Sequence, residues 1–345
     1  MGARPLPLLS TAPAQPVSRP AQPAANQARR PPPRLSCIIP CRNEAANLEL
    51  LLPQLQQALA RWVPAWEIIL VDDGSTDATA MRLPAWTDLP GVRAIQLSRN
   101  FGKEAALTAG LEAAHGDVIV MMDADLQHPP ALVEQFIEQW RDGADVVYAV
   151  REDRRDESVL KRWGTAWFYR LLNTADRFQV PAGAGDFRLL DRRVVDALLA
   201  LPERNRFMKG LYAWVGFDAR AVPYQPASRA HGRTHYNLLR LVRLSLDGLT
   251  AFTTWPLRTI GAIGFVLALL ALGYGAYLTL VYLLYGHPLG GWTTIVVSLM
   301  LFAGIQMVSL GIVGEYVGRV FEEVKARPLF VVRRSWGQGL KDESS

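Results

Sequence analysis

Between residues 118 and 130 the chain reads VIVMMDADLQHPP, an apolar run followed by two aspartates spaced two apart. The five apolar residues Val118 to Met122 are typical of a buried strand. Such a strand delivers Asp123 and Asp125 to its carboxyl end, with Gln127 close behind. Paired carboxylates of this kind can hold a divalent cation that also takes diphosphate oxygens as ligands. An ordinary acidic turn is the alternative, because DxD by itself is common.

Working outward from this run, short apolar segments alternate with amphipathic ones between Leu35 and about Val150. The strand-like segments are LSCIIP, WEIILV, VRAIQLS, GDVIVMMD and ADVVYAV, and the helix-like ones are LELLLPQLQQALARW, KEAALTAGLEAA and ALVEQFIEQW. This alternation predicts an α/β domain with a mostly parallel sheet and helices on both faces. Ligands of such sheets bind at the carboxyl ends of the strands.

The pattern loosens beyond this region. It predicts a helix over 159–173, a glycine-rich loop over 181–186, a strand at FRLL and two further helices. Residues 236–252 then carry polar and apolar side chains at helical spacing, which predicts an amphipathic helix in the membrane interface.

Two other predicted strands also end in polar residues. VDDGSTD, at 71–77, offers Asp72 and Asp73 as contacts for a base or ribose, with Ser75 or Asp77 capping the next helix. IIPCRNEAANL, at 38–48, projects Arg42 and Glu44 above the sheet. The alternative for this second segment is a plain helix start, in which Asn43 is the cap and Glu44 complements the helix dipole.

A long uncharged region predicts membrane spans. The 56 residues from Thr259 to Gly314 contain no Asp, Glu, Lys or Arg, and the segment 286–291 interrupts them with Gly and Pro. Basic residues lie on both sides, so the positive-inside rule predicts that both flanks are cytoplasmic. The net charge of +5 is therefore assigned to a membrane surface, and nucleic acid is not expected as a partner.

These observations predict five parts of the chain. They are a disordered tail (1–33), the α/β domain (34–235), an amphipathic helix (236–256), a transmembrane hairpin (257–318, with spans near 259–285 and 292–314) and a cytoplasmic tail (319–345). Cys37 and Cys41 form no CxxC pair and are expected to be reduced bystanders. Neither GxGxxG nor GxxxxGK[ST] follows a strand, which argues against a dinucleotide enzyme and a P-loop ATPase.

Taken in order, the three acidic or polar strand ends resemble those of the inverting family 2 glycosyltransferases of GT-A fold. The resemblance extends from Leu35 to about Val332. SRNFGKEAALTAGL, DFRLLDRRV, GRTHYN and GEYVGRVFEEVKARPLFVV are similar to segments of the polyprenyl-phosphate glycosyltransferases, relatives of dolichol-phosphate mannose synthase with a two-span hairpin.

The resemblance implies roles for individual residues. The donor nucleotide sugar would lie along Pro40, Arg42, Glu44, Val71, Asp72, Asp73, Lys103, Asp123 and Ala124. Mg²⁺ or Mn²⁺ would be held by Asp123, Asp125 and Gln127, with Asp125 serving the leaving group. Arg151 would face the donor diphosphate. Arg188 would grip the acceptor phosphate in a bidentate way, and Asp186 would orient it or act as a base. Where relatives often carry a lysine, this chain offers Arg233 or His235.

The expected function is inverting transfer of a sugar from a nucleotide sugar, UDP-glucose first, to a polyprenyl phosphate. UDP-N-acetylglucosamine, GDP-mannose and a modified pentose donor stay open. The expected location is a bacterial inner membrane, with the catalytic domain and both termini cytoplasmic, and a homotetramer would fit the family. A processive polysaccharide synthase is the first rival, but VLKRW (159–163) lacks the glutamine of QxxRW. A catalytically silent scaffold is the second.

Overall fold

The computed structural model describes residues 30–151, 184–204, 206–225, 255–285 and 291–340. Its strands are β1 (Arg34–Cys41), β2 (Ala65–Asp72), β3 (Val92–Leu97), β4 (Val118–Met121), β5 (Val146–Arg151), β6 (Ala184–Asp191), β7 (Ala219–Tyr224) and β8 (Val332–Trp336). Its helices are α1 (Ala45–Trp62), α2 (Thr79–Trp86), α3 (Lys103–Ala113), α4 (Leu132–Arg141), α5 (Arg192–Leu199), α6 (Met208–Trp214), α7 (Trp255–Tyr285) and α8 (Trp292–Val324).

All eight strands form one sheet in the order β7-β5-β6-β4-β1-β2-β3-β8. Strands β3, β2, β1 and β4 are parallel neighbours, and β5 pairs with β7 in parallel. Strand β6 lies antiparallel between β4 and β5, and β8 lies antiparallel on β3. The predicted mostly parallel α/β sheet is thus confirmed. Because β1 to β4 run the same way, the loops that follow them meet at one edge.

The sheet is covered on both faces, as the alternating pattern predicts. One apolar core contains side chains of α1, α2 and α4, and the other contains side chains of α3, α5 and α6. Strand residues such as Ile38 and Ile39 point to opposite cores and are fully buried. Burial on both faces explains why these strands read as nearly continuous apolar runs. Cys37 and Cys41 are free thiols in this interior, where burial raises their pKa values.

Some predicted elements differ from the structure or lie outside the described residues. The helix predicted over 159–173, the amphipathic helix and the segment with Arg233 and His235 belong to the undescribed ranges. The glycine-rich loop predicted up to Asp186 ends sooner, because β6 already starts at Ala184. Here pairing with β5 supplies backbone partners that local glycine content does not reveal.

Helices α7 and α8 are the two long apolar helices. Thr259–Leu284 and Ile295–Val324 are long and apolar enough to cross a membrane, and their most apolar windows are not buried against the rest of the described chain. Two long apolar helices that find no apolar cover in the described part of the protein associate with a membrane.

Both ends of the described chain are more ordered than the sequence predicts. Arg30 lies inside the predicted disordered tail, yet its guanidinium donates to the carbonyl of Ala144 and pairs with Asp145. At the other end, α8 continues to Val324, and the predicted cytoplasmic tail returns to the sheet as β8. The sheet is therefore completed by residues that follow the second apolar helix.

Candidate active site

The acidic loop after β4 lies at the edge where the parallel strands end. Asp123 and Asp125 are partly exposed there, while Ala124 between them is buried. One oxygen of Asp125 accepts a hydrogen bond from the amide of Gln127 at 3.1 Å. Leu126 adopts a φ of 61°, a left-handed conformation that turns the chain sharply after the second aspartate. The loop thus presents two carboxylates on a rigid strand end.

Strand β6 brings a third carboxylate to this loop. In its antiparallel register with β4, Arg188 pairs with Met121, so Asp186 lies opposite Asp123. Lys103, the first residue of α3, lies between these two carboxylates. Its Nζ is 2.5 Å from Asp123 Oδ1 and 2.7 Å from Asp186 Oδ2. A lysine from one loop therefore bridges acids from two others.

The bridge sets the charge states of its members. Burial alone would lower the pKa of Lys103, but the charges of Asp123 and Asp186 outweigh it and hold that pKa well above its usual value. Burial would likewise raise the pKa of Asp186, yet Lys103 and then Lys209 hold it well below its usual range. Asp186 is consequently a firmly ionised ion-pair partner and a poor general base.

The loop after β1 adds further negative charge. Glu44 is partly buried just before α1, and its carboxylate accepts a 2.6 Å hydrogen bond from Asn47. Burial raises the pKa of Glu44, and the nearby charges of Asp125 and Asp123 raise it further. Three carboxylates from two loops therefore repel one another here, which favours a cation in their midst.

The plain helix-start alternative requires Asn43 to cap α1, but the N-cap position is occupied by Glu44. Asn43 adopts a φ of 58°, its amide donates to Ser75 Oγ at 2.9 Å, and its side-chain oxygen accepts from the amide of Thr76 at 2.8 Å. Asn43 thus ties the β1 loop to the β2 loop. Asp77 accepts from the amide of Thr79, the first residue of α2, so the predicted capping falls to Asp77.

The two aspartates after β2 shape the loops around them. Asp72 is fully buried and accepts from the amide of Ser75 at 3.0 Å and from Gln96 Nε2 at 3.2 Å. Asp73 accepts from the amides of Phe101 and Gly102, which lead into α3. Both carboxylates are engaged inside the protein, so they hold the loops that follow β2 and β3 in position.

The conformation and surroundings of Gly74 explain why glycine follows the two aspartates of this loop. The φ of Gly74 is 67°, and a Cβ at this position would lie 2.6 Å from the backbone of Arg99 and Asn100. Only glycine permits this close approach of the β2 loop to the β3 loop.

Other residues predicted to line the nucleotide are distributed around the same edge. Pro40 and Val71 are register partners in β1 and β2, and the side chain of Val71 is fully buried in the core. Arg42 is exposed. Burial raises the pKa of Asp73, and the nearby charge of Arg42 offsets part of that rise. Val71 can therefore offer a ligand only its backbone, whereas Arg42 offers its whole side chain.

Arg151 and Arg188, the two predicted phosphate ligands, differ in accessibility. Arg151 ends β5 in an exposed position and donates to Gln127 Oε1 at 3.2 Å, directly beside the acidic loop. Arg188 is only 3% exposed. Its guanidinium lies 3.7 Å from the ring centroid of Tyr212 and donates to the carbonyl of Gly185 at 2.7 Å.

Arg188 is packed into the protein, with almost none of its surface exposed to solvent. Burial lowers its pKa, and its Nε has no hydrogen-bond partner among the described residues. A role as acceptor ligand would therefore require a movement of the side chain. In the described arrangement Arg188 supports the strand that carries Asp186.

His128, Glu104 and Lys209 are residues that the sequence analysis did not place in the site. His128 Nδ1 accepts from the amide of Asp123 at 3.3 Å, and its ring stacks on Phe187 with 4.7 Å between centroids. The motif HPP next to the aspartates is a signal for His128. Glu104 adjoins Lys103 in sequence, but no local pattern indicates Lys209.

The donor set suits a hard divalent cation that is completed by other ligands. Among the described residues no group of three or more His, Cys, Asp or Glu side chains is arranged to hold a metal. Asp123 and Asp125 supply carboxylate oxygens and Gln127 supplies an amide oxygen, the ligand types that Mg²⁺ and Mn²⁺ prefer. The positively charged Lys103 ammonium already contacts an oxygen of Asp123, as a metal cation would. The residues thus fit a cation that shares its coordination with a diphosphate.

An α/β sheet of GT-A fold with paired carboxylates at a strand end is the arrangement of glycosyltransferases that use nucleotide sugars. The family described as Glycosyl transferase family 2 matches residues 36–199. An uncharacterized glycosyltransferase of Synechocystis is 41% identical over 88% of this chain and 96% of its own length. The chain belongs to glycosyl transferase family 2 and is a glycosyltransferase.

Two further comparisons describe its relatives. A prophage-derived bactoprenol glucosyl transferase of Shigella flexneri is 38% identical over 88% of this chain and 98% of its own length. Glucosyl-3-phosphoglycerate synthase from Mycobacterium tuberculosis is a more distant solved structure. It is 23% identical, covers 64% of this chain and 78% of its own, and superposes with a TM-score of 0.43.

Proposed function

We propose that this glycosyltransferase transfers glucose from UDP-glucose to a polyprenyl phosphate at the cytoplasmic face of a bacterial inner membrane. One observation carries the proposal: β8, a strand of the sheet that holds the candidate site, follows two exposed apolar helices, so the sheet is connected to the helices that would hold it at a membrane. The bactoprenol glucosyl transferase of Shigella flexneri, similar over 98% of its length, supports both the sugar and the lipid. The product would serve cell-envelope glycan or lipid modification.

The donor would bind along the edge formed by the loops after β1, β2, β3 and β4. Arg42 and Glu44 are the side chains from the β1 loop that a nucleotide can reach, while Asp72 and Asp73 hold the neighbouring loops in shape. Mg²⁺ or Mn²⁺ at Asp123, Asp125 and Gln127 would supply positive charge to the departing diphosphate. The lysine bridge places a second positive charge, Lys103, beside the same carboxylates.

A phosphate acceptor simplifies the chemistry, because a phosphate monoester is already ionised at neutral pH. An acceptor oxygen would form a bond to the anomeric carbon from the face opposite the diphosphate. The bond from that carbon to the diphosphate would break, and UDP would leave with the electron pair. This single displacement inverts the anomeric configuration and removes no proton. The ion-paired state of Asp186 agrees with a mechanism without a general base.

Cations would bring the two anionic reactants together. Arg151 is exposed beside Gln127 and is the best placed described arginine for the donor diphosphate. The acceptor phosphate would use Arg233, His235 and, after a side-chain movement, Arg188. Both chain termini would lie in the cytoplasm, since basic residues flank both apolar helices. We also expect a homotetramer, which light scattering of the detergent-solubilised protein would test.

The direct test is transfer by the purified full chain in detergent. Undecaprenyl phosphate and Mn²⁺ or Mg²⁺ would be offered with UDP-glucose, UDP-N-acetylglucosamine or GDP-mannose in separate reactions. We expect a lipid-linked glucose that requires the cation and disappears with EDTA. A different lipid-linked sugar would overturn UDP-glucose as the donor, and formation of no lipid-linked product from UDP-glucose would overturn the proposed reaction.

The proposed membrane topology can be tested by labelling introduced cysteines, because the two native thiols are buried. Gly290→Cys, at a position between α7 and α8 in the sequence, should react with an impermeant maleimide from outside intact spheroplasts. Gln338→Cys, in the exposed C-terminal segment, should react only after lysis. The reverse labelling pattern would contradict the proposed topology.

A further inference from the structure

The C-terminal strap, defined here as residues 330–340, is the last described segment of the chain. It follows α8 after only five residues, 325–329. Since an extended residue spans at most about 3.6 Å, the six steps from Val324 to Phe330 reach at most roughly 22 Å. The strap therefore keeps one edge of the catalytic sheet within a short distance of the end of the second apolar helix.

The strap is held along its whole length. Phe330 packs against one apolar core of the domain, and Trp336 packs against the other. Between them, the carbonyl of Val331 accepts a 2.8 Å hydrogen bond from the amide of Ser98, and β8 pairs with β3. These contacts on both faces of the sheet make the strap an integral part of the catalytic domain.

The far end of the strap is anchored at a buried carboxylate. Glu67 is fully buried, and its Oε2 accepts from the amide of Leu340 at 3.1 Å. Its other oxygen accepts from Ser36 Oγ at 2.6 Å and from the amide of His115 at 3.1 Å. A buried carboxylate needs such partners, so the strap supplies part of what makes Glu67 tolerable in the core.

Gly337 permits the turn between β8 and this anchor. Its φ is 78°, and a Cβ there would lie 2.5 Å from the carbonyl oxygen of Val92. The chain passes so close to the start of β3 that a larger residue would force the strap away.

Strand β3, which the strap covers, leads directly into the donor edge. Gln96, the register partner of Arg334, donates to Asp72. The loop of residues 98–102 that follows β3 supplies the amides that Asp73 accepts, and it ends where Lys103 begins α3. Without the strap, β3 would become an edge strand with unpaired backbone groups. The hydrogen bond at Ser98 would also be lost, at the start of this loop.

We propose that the C-terminal strap is a positioning element of the donor site, through which nucleotide binding depends on the segment that follows the second apolar helix. The strap touches neither the acidic loop nor Lys103 in any contact described above. It acts through β3, which sets the positions of the 98–102 loop and of Lys103. This inference rests on the proposed location of the donor at the strand ends.

A truncation pair tests this role in the full membrane protein. A stop after Leu340 removes only residues 341–345 and is the matched control, whereas a stop after Leu329 removes the strap and keeps both apolar helices. Binding of UDP in the presence of Mn²⁺ would be measured by calorimetry. We expect the control to bind like the full chain, and the shorter form to bind at least tenfold more weakly. A synthetic peptide of residues 330–340 should restore most of that loss. Unchanged binding after loss of the strap would overturn the proposal.

A point-variant pair covers the case in which the shorter protein does not fold. Gly337→Val should displace the strap by its clash with Val92, while Gln338→Val alters the neighbouring exposed position. Hydrogen exchange should rise across 92–102 only in Gly337→Val, accompanied by about tenfold weaker UDP binding. Faster exchange with affinity within twofold of the full chain would refute the positioning role, as would no change in exchange.

Failure of the proposed donor would look different from failure of this inference. If the unmodified chain binds another nucleotide sugar in place of UDP-glucose, the same variants are compared with that nucleotide. The exchange measurement at 92–102 needs no ligand at all.

Discussion

Replacing Lys103 by methionine removes the ammonium group that bridges Asp123 and Asp186 and keeps a similar apolar stem. The ammonium lies 2.5 Å and 2.7 Å from the two carboxylates. It therefore competes with any cation for the Asp123 oxygen. We expect Lys103→Met to bind Mn²⁺ more tightly in the absence of nucleotide, although it loses a positive charge beside the donor.

The magnitude follows from the exposure of the pair. The Lys103 side chain is 40% exposed, and those of Asp123 and Asp186 are 31% and 22% exposed. Exposed pairs contribute about 0 to 1 kcal/mol, whereas removal of one partner from a buried pair costs about 3 to 5 kcal/mol. An intermediate site should therefore lose about 1 to 2 kcal/mol of folding stability. Removal of the ammonium as a competitor should favour Mn²⁺ binding by a similar free energy. A gain of about 1.4 kcal/mol would strengthen Mn²⁺ binding about tenfold.

The assay is Mn²⁺ titration of the purified full chain, followed by the electron paramagnetic resonance of free Mn²⁺. Lys209→Met is the matched control, because Lys209 also acts on Asp186 electrostatically but forms no ion pair with Asp123 among the described contacts. The control should bind Mn²⁺ much as the parent chain does. Glucose transfer by Lys103→Met should fall despite the tighter metal binding, since the diphosphate loses a cation.

Two results would refute this reasoning. Unchanged or weaker Mn²⁺ binding by Lys103→Met would show that the ammonium does not compete with the cation. An equal gain in Lys209→Met would show that the effect comes from general negative charge, with no special part for the bridge.

Asp125→Asn should lower glucose transfer at least about a hundredfold while the thermal midpoint stays within a few degrees, because Asp125 is proposed to hold the cation that serves the leaving group; retained transfer would remove it from the site. Glu104→Gln should change the pH dependence of stability. Burial and then the charge of Asp186 raise the pKa of Glu104 to about 8, so rising pH between about 4.5 and 8 ionises the unfolded chain first and destabilises the protein. Over that pH range the thermal midpoint of Glu104→Gln should fall by roughly 2 to 4 °C less than that of the parent chain. An identical fall in both proteins would contradict the raised pKa of Glu104. Arg188→Met should lower the thermal midpoint by loss of the Tyr212 stacking; a raised acceptor KM with an unchanged midpoint would instead place Arg188 on the lipid phosphate.

Excision of the membrane hairpin needs care in this protein. A simple stop after Arg258 would remove α7 and α8, but it would also remove the C-terminal strap from β3. Replacing 256–328 by a flexible linker keeps the strap. Donor hydrolysis by that form should survive better than transfer to long-chain polyprenyl phosphate, and equal loss of both would contradict a purely membrane-anchoring role for the hairpin.

Much of the site was predictable because its signals are local. Strand ends that carry DAD, DDG and RNE stand directly after buried apolar runs, and parallel strands bring such ends to one edge. The sequence could not show that the carboxylates of Asp72 and Asp73 accept hydrogen bonds from other segments of the domain. Their partners Gln96 and Phe101 lie more than one element away in the chain. The sequence likewise suggested a free phosphate ligand at Arg188, whose partner Tyr212 lies on a separate helix.

The amino-acid sequence by itself determined the α/β class, the acidic strand ends and the two apolar helices, since each is written in the period or length of a continuous run. The tertiary structure alone decided which distant residues meet. Lys103 reaches Asp186 across 83 positions, and Leu340 reaches Glu67 across 273. Both meetings depend on the antiparallel strands β6 and β8, whose register is set by packing over the whole sheet. The local sequence pattern does not indicate such pairing, so the lysine bridge and the C-terminal strap can be recognised only in the folded protein.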